Sequence, residues 1–257
     1  GGAGGTLASF VEIGGPERAA ALPAAYAAEL GLAVPAAPWH TTRWPVTELG
    51  DALVQAGAAL GVIAADVATL SRTEIGELAE GTGGGSSAMP QKRNPAHSVL
   101  IRSAAIRAPH LGATLHAAAG LAVDERPDGA WHAEWPALRE LLRLARGAAA
   151  HAASLSAGLR ADAAAAARNL ALTDGLIVAE RIAIVLGPVL GAARVREIVA
   201  AAGQGAGLAE LLRAEPALAA AGIDVAALLD PAHYTGLAGR LVDAATESAR
   251  THPEDPA

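Results

Sequence analysis

The sequence of 257 residues contains no cysteine. This absence excludes disulfides, thiolate nucleophiles and zinc–thiolate sites, and it fits a reducing compartment. Aromatic residues make up only 3% of a chain that is 52% hydrophobic, so its core must be packed from Ala, Leu, Val and Ile. Such a core suits close helix packing better than a β-sandwich, and we therefore predict an all-α fold.

The chain also lacks an excess of positive charge. Its formal net charge is −7 and its basic residues are scattered, which argues against a nucleic-acid surface. We find no stretch of about twenty uninterrupted, strongly apolar residues that would predict a membrane span, and the glycine-rich start does not resemble a signal peptide. We expect a cytoplasmic protein that needs neither nucleic acid nor membrane as a partner.

Two heptad patterns predict long helices. The apolar residues are spaced by four and three positions, at Leu49, Leu53, Ala56, Leu60, Ile63, Val67 and Leu70 in the first pattern and at Trp131, Trp135, Leu138, Leu142, Ala145, Ala149 and Ala152 in the second. With a helix from Pro95 to Leu121 between them, they predict a long antiparallel bundle. Shorter, broken helices follow, so we expect this bundle over residues 1–172 and a smaller helical domain over residues 173–257.

The segment from Gly81 to Pro95, GTGGGSSAMPQKRNP, combines several features of a catalytic loop. Its glycines allow a mobile lid that carries two serines. Asn94 is expected to cap a helix that starts at Pro95, which places Lys92 beside a helix N-terminus suited to a carboxylate. An ordinary flexible loop is the alternative. A phosphate-binding loop is disfavoured because no Gly-Lys-Ser/Thr closes the segment.

The literal string from Ser86 to Pro95 resembles the signature of the fumarase/aspartase superfamily, S-S-x-M-P-x-K-x-N-P. Four further stretches resemble one branch of it, the bacterial 3-carboxy-cis,cis-muconate cycloisomerases. The branch patterns are GGAxGT, P-W-H-T-Q-R, E-R…W-x-x-E-W and N-L-x-L-T-x-G-L. They correspond here to Gly1–Thr6, Pro38–Arg43, Glu125–Trp135 and Asn169–Leu176.

Val99 separates this branch from its relatives. In fumarases, argininosuccinate lyases and adenylosuccinate lyases, a glutamate at this position partners the catalytic histidine. Valine cannot orient or charge an imidazole, which favours the cycloisomerase branch. Two departures lie elsewhere, because Thr42 replaces a usual glutamine and Trp44 a usual aspartate. The connection from Pro38 therefore differs from the branch in its hydrogen-bonding groups.

The resemblance implies closure of 3-carboxy-cis,cis-muconate, a small tricarboxylate, to a lactone without a cofactor or a metal. It assigns Ser86 as the catalytic proton donor or acceptor. A guanidinium matches a carboxylate bidentately, which makes Arg126 a candidate clamp. The substrate-binding residues that we predict are Ser87, Met89, Lys92, Asn94, Arg126, Arg43 and Thr6.

The resemblance also implies a homotetramer in which each active site is drawn from several subunits, and the apolar seams favour self-association. Family members are considerably longer at the N-terminus, where the superfamily's histidines lie. We therefore expect either that the chain is a fragment or that a separate polypeptide supplies the N-terminal half. An adenylosuccinate lyase-like C–N lyase and a non-catalytic helical assembly protein are the alternatives.

Overall fold

The computed structural model of the chain describes residues 4–81, 84–85, 93–123 and 125–251. Its helices are α1 (Ala8–Gly14), α2 (Pro16–Leu30), α3 (Trp44–Leu70), α4 (Ala96–Gly120), α5 (Asp128–Gly158), α6 (Ala163–Ala171), α7 (Ala179–Leu190), α8 (Ala192–Gly203), α9 (Leu208–Arg213), α10 (Pro216–Ala220), α11 (Val225–Leu229) and α12 (Ala238–Thr251). Two 3₁₀ turns span Leu176–Val178 and Pro231–His233. The described strands are two residues long: β1 (Leu78–Ala79), β2 (Gly84–Gly85), β3 (Arg93–Asn94) and β4 (Arg160–Ala161). The predicted all-α fold is confirmed.

The chain divides into two compact units, residues 1–161 and 162–257. The first contains the long helices and the second contains α6 to α12. The predicted domain division near Thr173 remains a prediction, and the division by contacts falls earlier in the chain.

The first unit is built on a bundle of α3, α4 and α5. α3 and α4 are antiparallel and approach closely because their contact is lined by glycine and alanine. A Cβ atom at Gly61 would lie 2.7 Å from Cβ of Ala105, and one at Gly50 would lie 2.6 Å from Cδ1 of Leu115. A larger side chain at Gly61 would therefore force the helices apart, whereas one at Gly50 would first displace the Leu115 side chain.

Two apolar clusters fill the bundle. The fully buried members of one are Ala108, Leu115, Ala137 and Leu141, and those of the other are Ala64, Val67, Ile101 and Leu155. The second cluster also contacts Leu78 of β1. It therefore supports the end of the bundle from which the signature segment extends.

Every second position of the predicted heptad seams is exposed, whereas the positions between them are partly or fully buried, and Leu53, Leu60, Val67 and Leu138 pack in the core. The exposed seam positions are Leu49, Ala56 and Ile63 of α3 and Trp135, Leu142 and Ala149 of α5. The neighbouring positions that are buried instead are Gly50, Gly57 and Ala64 of α3 and Glu134, Leu141 and Ala148 of α5. In α3 the buried row has smaller side chains, because the close approach to α4 leaves no room for leucine or isoleucine. The exposed half of each seam is thus left on the surface of the single chain.

By length and composition alone, α3 could cross a membrane, since an 18-residue window in it has a mean hydropathy of 1.7. This finding differs from the sequence-based expectation that the chain has no stretch long and apolar enough to span a membrane. Core helices of globular proteins, which are mostly buried, pass the same test, and in α3 17% of this window is buried within the single chain. α3 packs against both α4 and α5.

The second unit has its own core, formed around α7 and α8 by Val178, Ile182, Leu186, Val195, Ile198 and Leu208, among others. Arg181 supports the end of α11, since its Nη1 donates to the carbonyl oxygens of Ala227 at 2.9 Å and Leu228 at 2.8 Å. These bonds satisfy carbonyl groups that the helix itself leaves unpaired.

Candidate active site

Most of the predicted catalytic groups lie in the signature segment. Ser86, Ser87, Met89 and Lys92 fall outside the described residues, so their roles stay predictions. Asn94 is described, and its side chain is exposed. Its role as a substrate ligand also remains a prediction.

The two arms of the signature segment pair with each other. β2 and β3 are antiparallel, with Gly84 opposite Asn94 and Gly85 opposite Arg93. This register brings the strand just before the serine pair beside the strand that leads to α4. Gly84 and Gly85 therefore run in the opposite direction to Arg93 and Asn94 and lie beside them.

A second strand pair fixes the entry to the segment. β1 pairs antiparallel with β4, so that Leu78 lies opposite Ala161 and Ala79 opposite Arg160. Directly after β1 the chain crosses the end of α5 without room for a side chain, because a Cβ atom at Gly81 would lie 2.6 Å from the carbonyl oxygen of Gly158. A residue other than glycine at position 81 would separate the two backbones.

Glu80 lies between these two contacts and is 5% exposed. Its Oε1 accepts hydrogen bonds from the backbone N–H of Ser98 at 2.9 Å and from the Ser98 hydroxyl at 2.7 Å. Its Oε2 accepts a bond from the backbone N–H of His97 at 3.1 Å. Both N–H groups belong to the first turn of α4, where no carbonyl within the helix can accept them. The carboxylate therefore caps α4 from a distant position in the chain and complements its dipole.

This cap corrects two predictions about the start of α4. The helix begins at Ala96 with Pro95 as its N-cap residue, so Asn94 is not the cap and Pro95 is not the first helical residue. The N–H groups of His97 and Ser98 are also taken by the protein's own carboxylate. The local sequence predicts that these N–H groups are open to a substrate carboxylate. They are not, because Glu80, fourteen positions before Asn94, already accepts both.

Two imidazoles meet beside the same helix turn. Nδ1 of His97 and Nδ1 of His151, which lies near the end of α5, are 3.1 Å apart. At this distance one ring donates and the other accepts, and the choice of tautomer decides which. The pair joins α4 to α5 next to Glu80 and brings titratable side chains to the base of the signature segment.

Arg43 lies at the other end of the bundle, in a closed arrangement. Its Nε and Nη2 donate to the two carboxylate oxygens of Glu134 at 2.8 and 2.6 Å, and Nη1 donates to the carbonyl oxygen of His40 at 3.1 Å. The Glu134 side chain is 3% exposed and that of Arg43 13%. All three guanidinium nitrogens are thus engaged within the protein, which gives Arg43 a structural task. Its role as a substrate ligand stays a prediction.

Three stretches that the sequence matched separately converge near this ion pair. A Cβ atom at Gly5 would lie 2.6 Å from Cβ of Pro38, and one at Gly4 would lie 3.7 Å from Oε1 of Glu125. Thr6 and Arg126, which follow these contacts in the sequence, are both exposed. The structure therefore gathers the predicted ligands Thr6, Arg43 and Arg126 at one end of the bundle without testing what they bind.

A cleft of about 530 Å³ opens at this end and is lined by Gly5, Leu7, Pro38, Trp39, His40 and Arg43, among others. Among the described residues, Nε2 of His40 is buried without a hydrogen-bond partner. A buried polar atom without a partner is unfavourable, and a bound group could satisfy it. His40 therefore offers a polar atom to a molecule bound in this cleft, and the sequence patterns did not single it out.

The two groups of predicted site residues are far apart within one chain. The signature segment adjoins the start of α4, whereas Arg126 follows its end. α4 has 25 residues, so at 1.5 Å per residue its ends are separated by about 36 Å. Among the described residues, Asn94 and Arg126 of one chain therefore lie too far apart to bind the same small substrate.

Val99 is 54% exposed on α4, directly after the buried Ser98. It carries no group that could orient an imidazole, as the sequence comparison anticipated. Among the described residues, no cluster of three or more His, Cys, Asp or Glu side chains could hold a metal ion.

Comparison with known proteins gives a consistent result. The family model described as lyase matches residues 14–109. The chain is 48% identical to nitrosuccinate lyase of Streptomyces davaonensis over 95% of its length and 54% of that protein, and 42% identical to 3-carboxy-cis,cis-muconate cycloisomerase of Pseudomonas aeruginosa over 95% and 54%. The crystal structure of 3-carboxy-cis,cis-muconate lactonizing enzyme from Pseudomonas putida superimposes with a TM-score of 0.86 at 36% identity, covering 98% of this chain and 56% of that one.

The helical bundle and these matches define a lyase-type fold. The chain belongs to the fumarase/aspartase superfamily. It spans about half the length of the curated relatives it matches. The superfamily predicted from the signature segment is confirmed.

Sequence reasoning missed the described groups that hold this site together. Glu80, Ser98 and Glu134 are buried polar residues at the two bundle ends. An acidic residue shortly before a glycine-rich loop could have been read as a cap for the following helix. Nothing in the sequence pattern indicated that Arg43 and Glu134, 91 positions apart, would pair.

Proposed function

We propose that the protein is a lyase that eliminates a leaving group from a small dicarboxylate, and we favour nitrosuccinate as its substrate. The observation that carries this proposal is the 48% identity to nitrosuccinate lyase over 95% of the chain. Confirmed membership of the superfamily supports the reaction class.

The chemistry follows from the substrate. Loss of a proton from the carbon next to one carboxylate and of nitrite from the neighbouring carbon converts nitrosuccinate to fumarate, with the C–H electron pair forming the new double bond. We assign Ser86 as the base that receives this proton and Lys92 as the cation that stabilises the enolate-like carboxylate. A serine can act in this way only where solvent is excluded and positive charge is near.

Cycloisomerisation of 3-carboxy-cis,cis-muconate is the second candidate. It is favoured by the 42% identity to the Pseudomonas aeruginosa cycloisomerase and by the four matching stretches of the sequence. In that reaction a carboxylate adds across a double bond and a proton is delivered to the next carbon, which is an elimination in reverse. The same serine and lysine would serve both reactions.

We further propose that the protein works as a homotetramer with active sites shared between chains. Asn94 precedes α4 and Arg126 follows it, and this helix is about 36 Å long, so a second, antiparallel copy would bring an Arg126 end beside a signature segment. α3 also presents an exposed apolar row, formed by Leu49, Ala52, Ala56, Ala59 and Ile63. This spacing is that of a helix–helix seam.

Assembly can be tested on the exposed row. Ile63→Glu places a charge on a side that is exposed in the single chain, where Ile63 is 55% exposed. The fold should therefore persist while the oligomer dissociates in sedimentation velocity. Thr69→Glu, another substitution of an exposed α3 residue but outside the row, is the control. A parent protein that sediments as a monomer at micromolar concentration would contradict the proposal.

Activity should be measured on the complete gene product, since the chain spans about half the length of its relatives and we propose that turnover requires the remainder. Nitrite release from nitrosuccinate and loss of diene absorbance from 3-carboxy-cis,cis-muconate separate the two candidates. Ser86→Ala should lower kcat by orders of magnitude while substrate binding survives, because the hydroxyl transfers a proton only in the transition state. Lys92→Ala should lower kcat and also weaken substrate binding. A folded oligomer with no turnover of either substrate would overturn the proposed function.

A further inference from the structure

Glu80 is bound in an unusual way for a buried acid. At 5% exposure its carboxylate has lost most of its water, and a charge in that position needs strong partners. The donors that it has in the described part of the chain are two backbone N–H groups and one hydroxyl, all of them uncharged. Helix N-termini supply such donors with a favourable dipole, so the site is matched to a carboxylate and not to a neutral group.

The position of Glu80 in the chain gives this cap a second consequence. Glu80 directly precedes Gly81, where the signature segment begins, and its donors His97 and Ser98 come two and three residues after Pro95, where the segment ends. On the Glu80 side the chain is fixed by the pairing of β1 with β4 and by the crossing of Gly81 over Gly158. On the far side lies the rigid start of α4. The carboxylate therefore joins the two fixed points between which the signature segment runs.

We propose that Glu80 is a positioning residue of the active site: its hydrogen bonds to His97 and Ser98 set the separation and orientation of the two ends of the signature segment. Ser86 and Lys92, to which the proposed function assigns the chemistry, lie between those ends in the sequence. This inference rests on the proposed function for its link to catalysis. The capping geometry does not depend on it.

The decisive variant is Glu80→Gln, which keeps the size of the side chain. Its amide oxygen can still accept a hydrogen bond, but its NH₂ group is a donor and faces an N–H donor of α4. The matched control is Asp224→Asn in the second unit. Oδ1 of Asp224 likewise accepts two backbone N–H groups at a helix start, from Ala226 at 2.9 Å and Ala227 at 3.2 Å.

Two measurements on the complete gene product separate positioning from simple stabilisation. Glu80→Gln should lower kcat roughly 10- to 100-fold, as expected for a small misplacement of reacting groups, and should leave KM within about twofold. Asp224→Asn should leave kcat unchanged. The second measurement is the rate of trypsin cleavage after Lys92 and Arg93 under native conditions. Glu80→Gln should raise this cleavage rate at least about tenfold over that of the control variant, because opening of the chain next to α4 no longer has to break the Glu80 cap.

Each outcome has a stated meaning. If the parent protein turns over a substrate and Glu80→Gln has an unchanged kcat, Glu80 is a helix cap alone and the inference is wrong. An unchanged cleavage rate would overturn it as well. If the parent turns over neither substrate, the proposed function fails, whereas faster cleavage in Glu80→Gln would still support the positioning role.

Discussion

The two ends of the bundle each bury one carboxylate, and they stabilise it by different means. Glu134 is 2% exposed and pairs bidentately with a guanidinium, whereas Glu80 is 5% exposed and accepts bonds from backbone N–H groups and a hydroxyl. The Arg43 pair neutralises its charge. The Glu80 cap distributes a charge over a helix terminus.

This difference predicts how each end of the bundle responds when its buried carboxylate loses a partner. An ion pair inside a protein is held by mutual attraction, and loss of either partner leaves an uncompensated charge in a poorly hydrated place. A carboxylate held by several neutral donors can lose one of them and keep the others. We therefore expect the Arg43 end to fail abruptly and the Glu80 end to weaken in steps.

The largest effect should come from Arg43→Ala. This change leaves Glu134 buried without its cation, and we expect the free energy of unfolding to fall by about 3–5 kcal/mol. Urea denaturation followed by far-UV circular dichroism measures this loss. The change also removes the contact of the guanidinium with Trp39, whose ring centroid lies 5.9 Å from Cζ of Arg43.

The control for this prediction removes both charges together. The double variant Arg43→Met with Glu134→Leu replaces the ion pair by apolar side chains of similar size. It should recover most of the stability that Arg43→Ala loses, since replacing a whole buried pair is often neutral. A double variant as unstable as Arg43→Ala would show that shape at this end matters more than charge.

A smaller effect is expected from Ser98→Ala at the opposite end. The hydroxyl bond of 2.7 Å to Glu80 is lost, but the two backbone N–H bonds remain. One hydrogen bond to a charged group is worth about 1.5–3 kcal/mol, and the same denaturation experiment should show a loss in that range. A loss as large as that of Arg43→Ala would mean that the hydroxyl alone holds the Glu80 charge.

Much of the fold was predictable from the sequence because helix-forming patterns are local. The long helices, their antiparallel order and the superfamily followed from spacing and from the signature string. The predicted seams include only part of the buried faces, since Gly50, Gly57 and Ala64 carry little hydrophobic signal. They are buried because small size allows close contact with α4, which depends on the partner helix and not on α3 alone.

The candidate site was predictable only as a string of residue types. The signature named Ser86 and Lys92, and their placement remains a prediction. The cap on α4 was assigned to Asn94 because local rules consider only adjacent residues, whereas Glu80 reaches the helix through the fold. Arg43 is a predicted substrate ligand from the stretch that resembles the branch pattern, and no local rule reveals its partner Glu134, which is 91 positions away.

The smallest effect should come from an ion pair on the surface of the same bundle. Arg107 and Glu140 link α4 to α5 at 2.7 Å, with side chains 54% and 35% exposed. Water screens these charges, so Arg107→Ala should lower the free energy of unfolding by less than about 1 kcal/mol, and less still at high salt. A double-mutant cycle with Glu140→Gln isolates the coupling between the two side chains. We expect burial to decide how much stability an ion pair contributes. A coupling between Arg107 and Glu140 as large as that between Arg43 and Glu134 would refute this view.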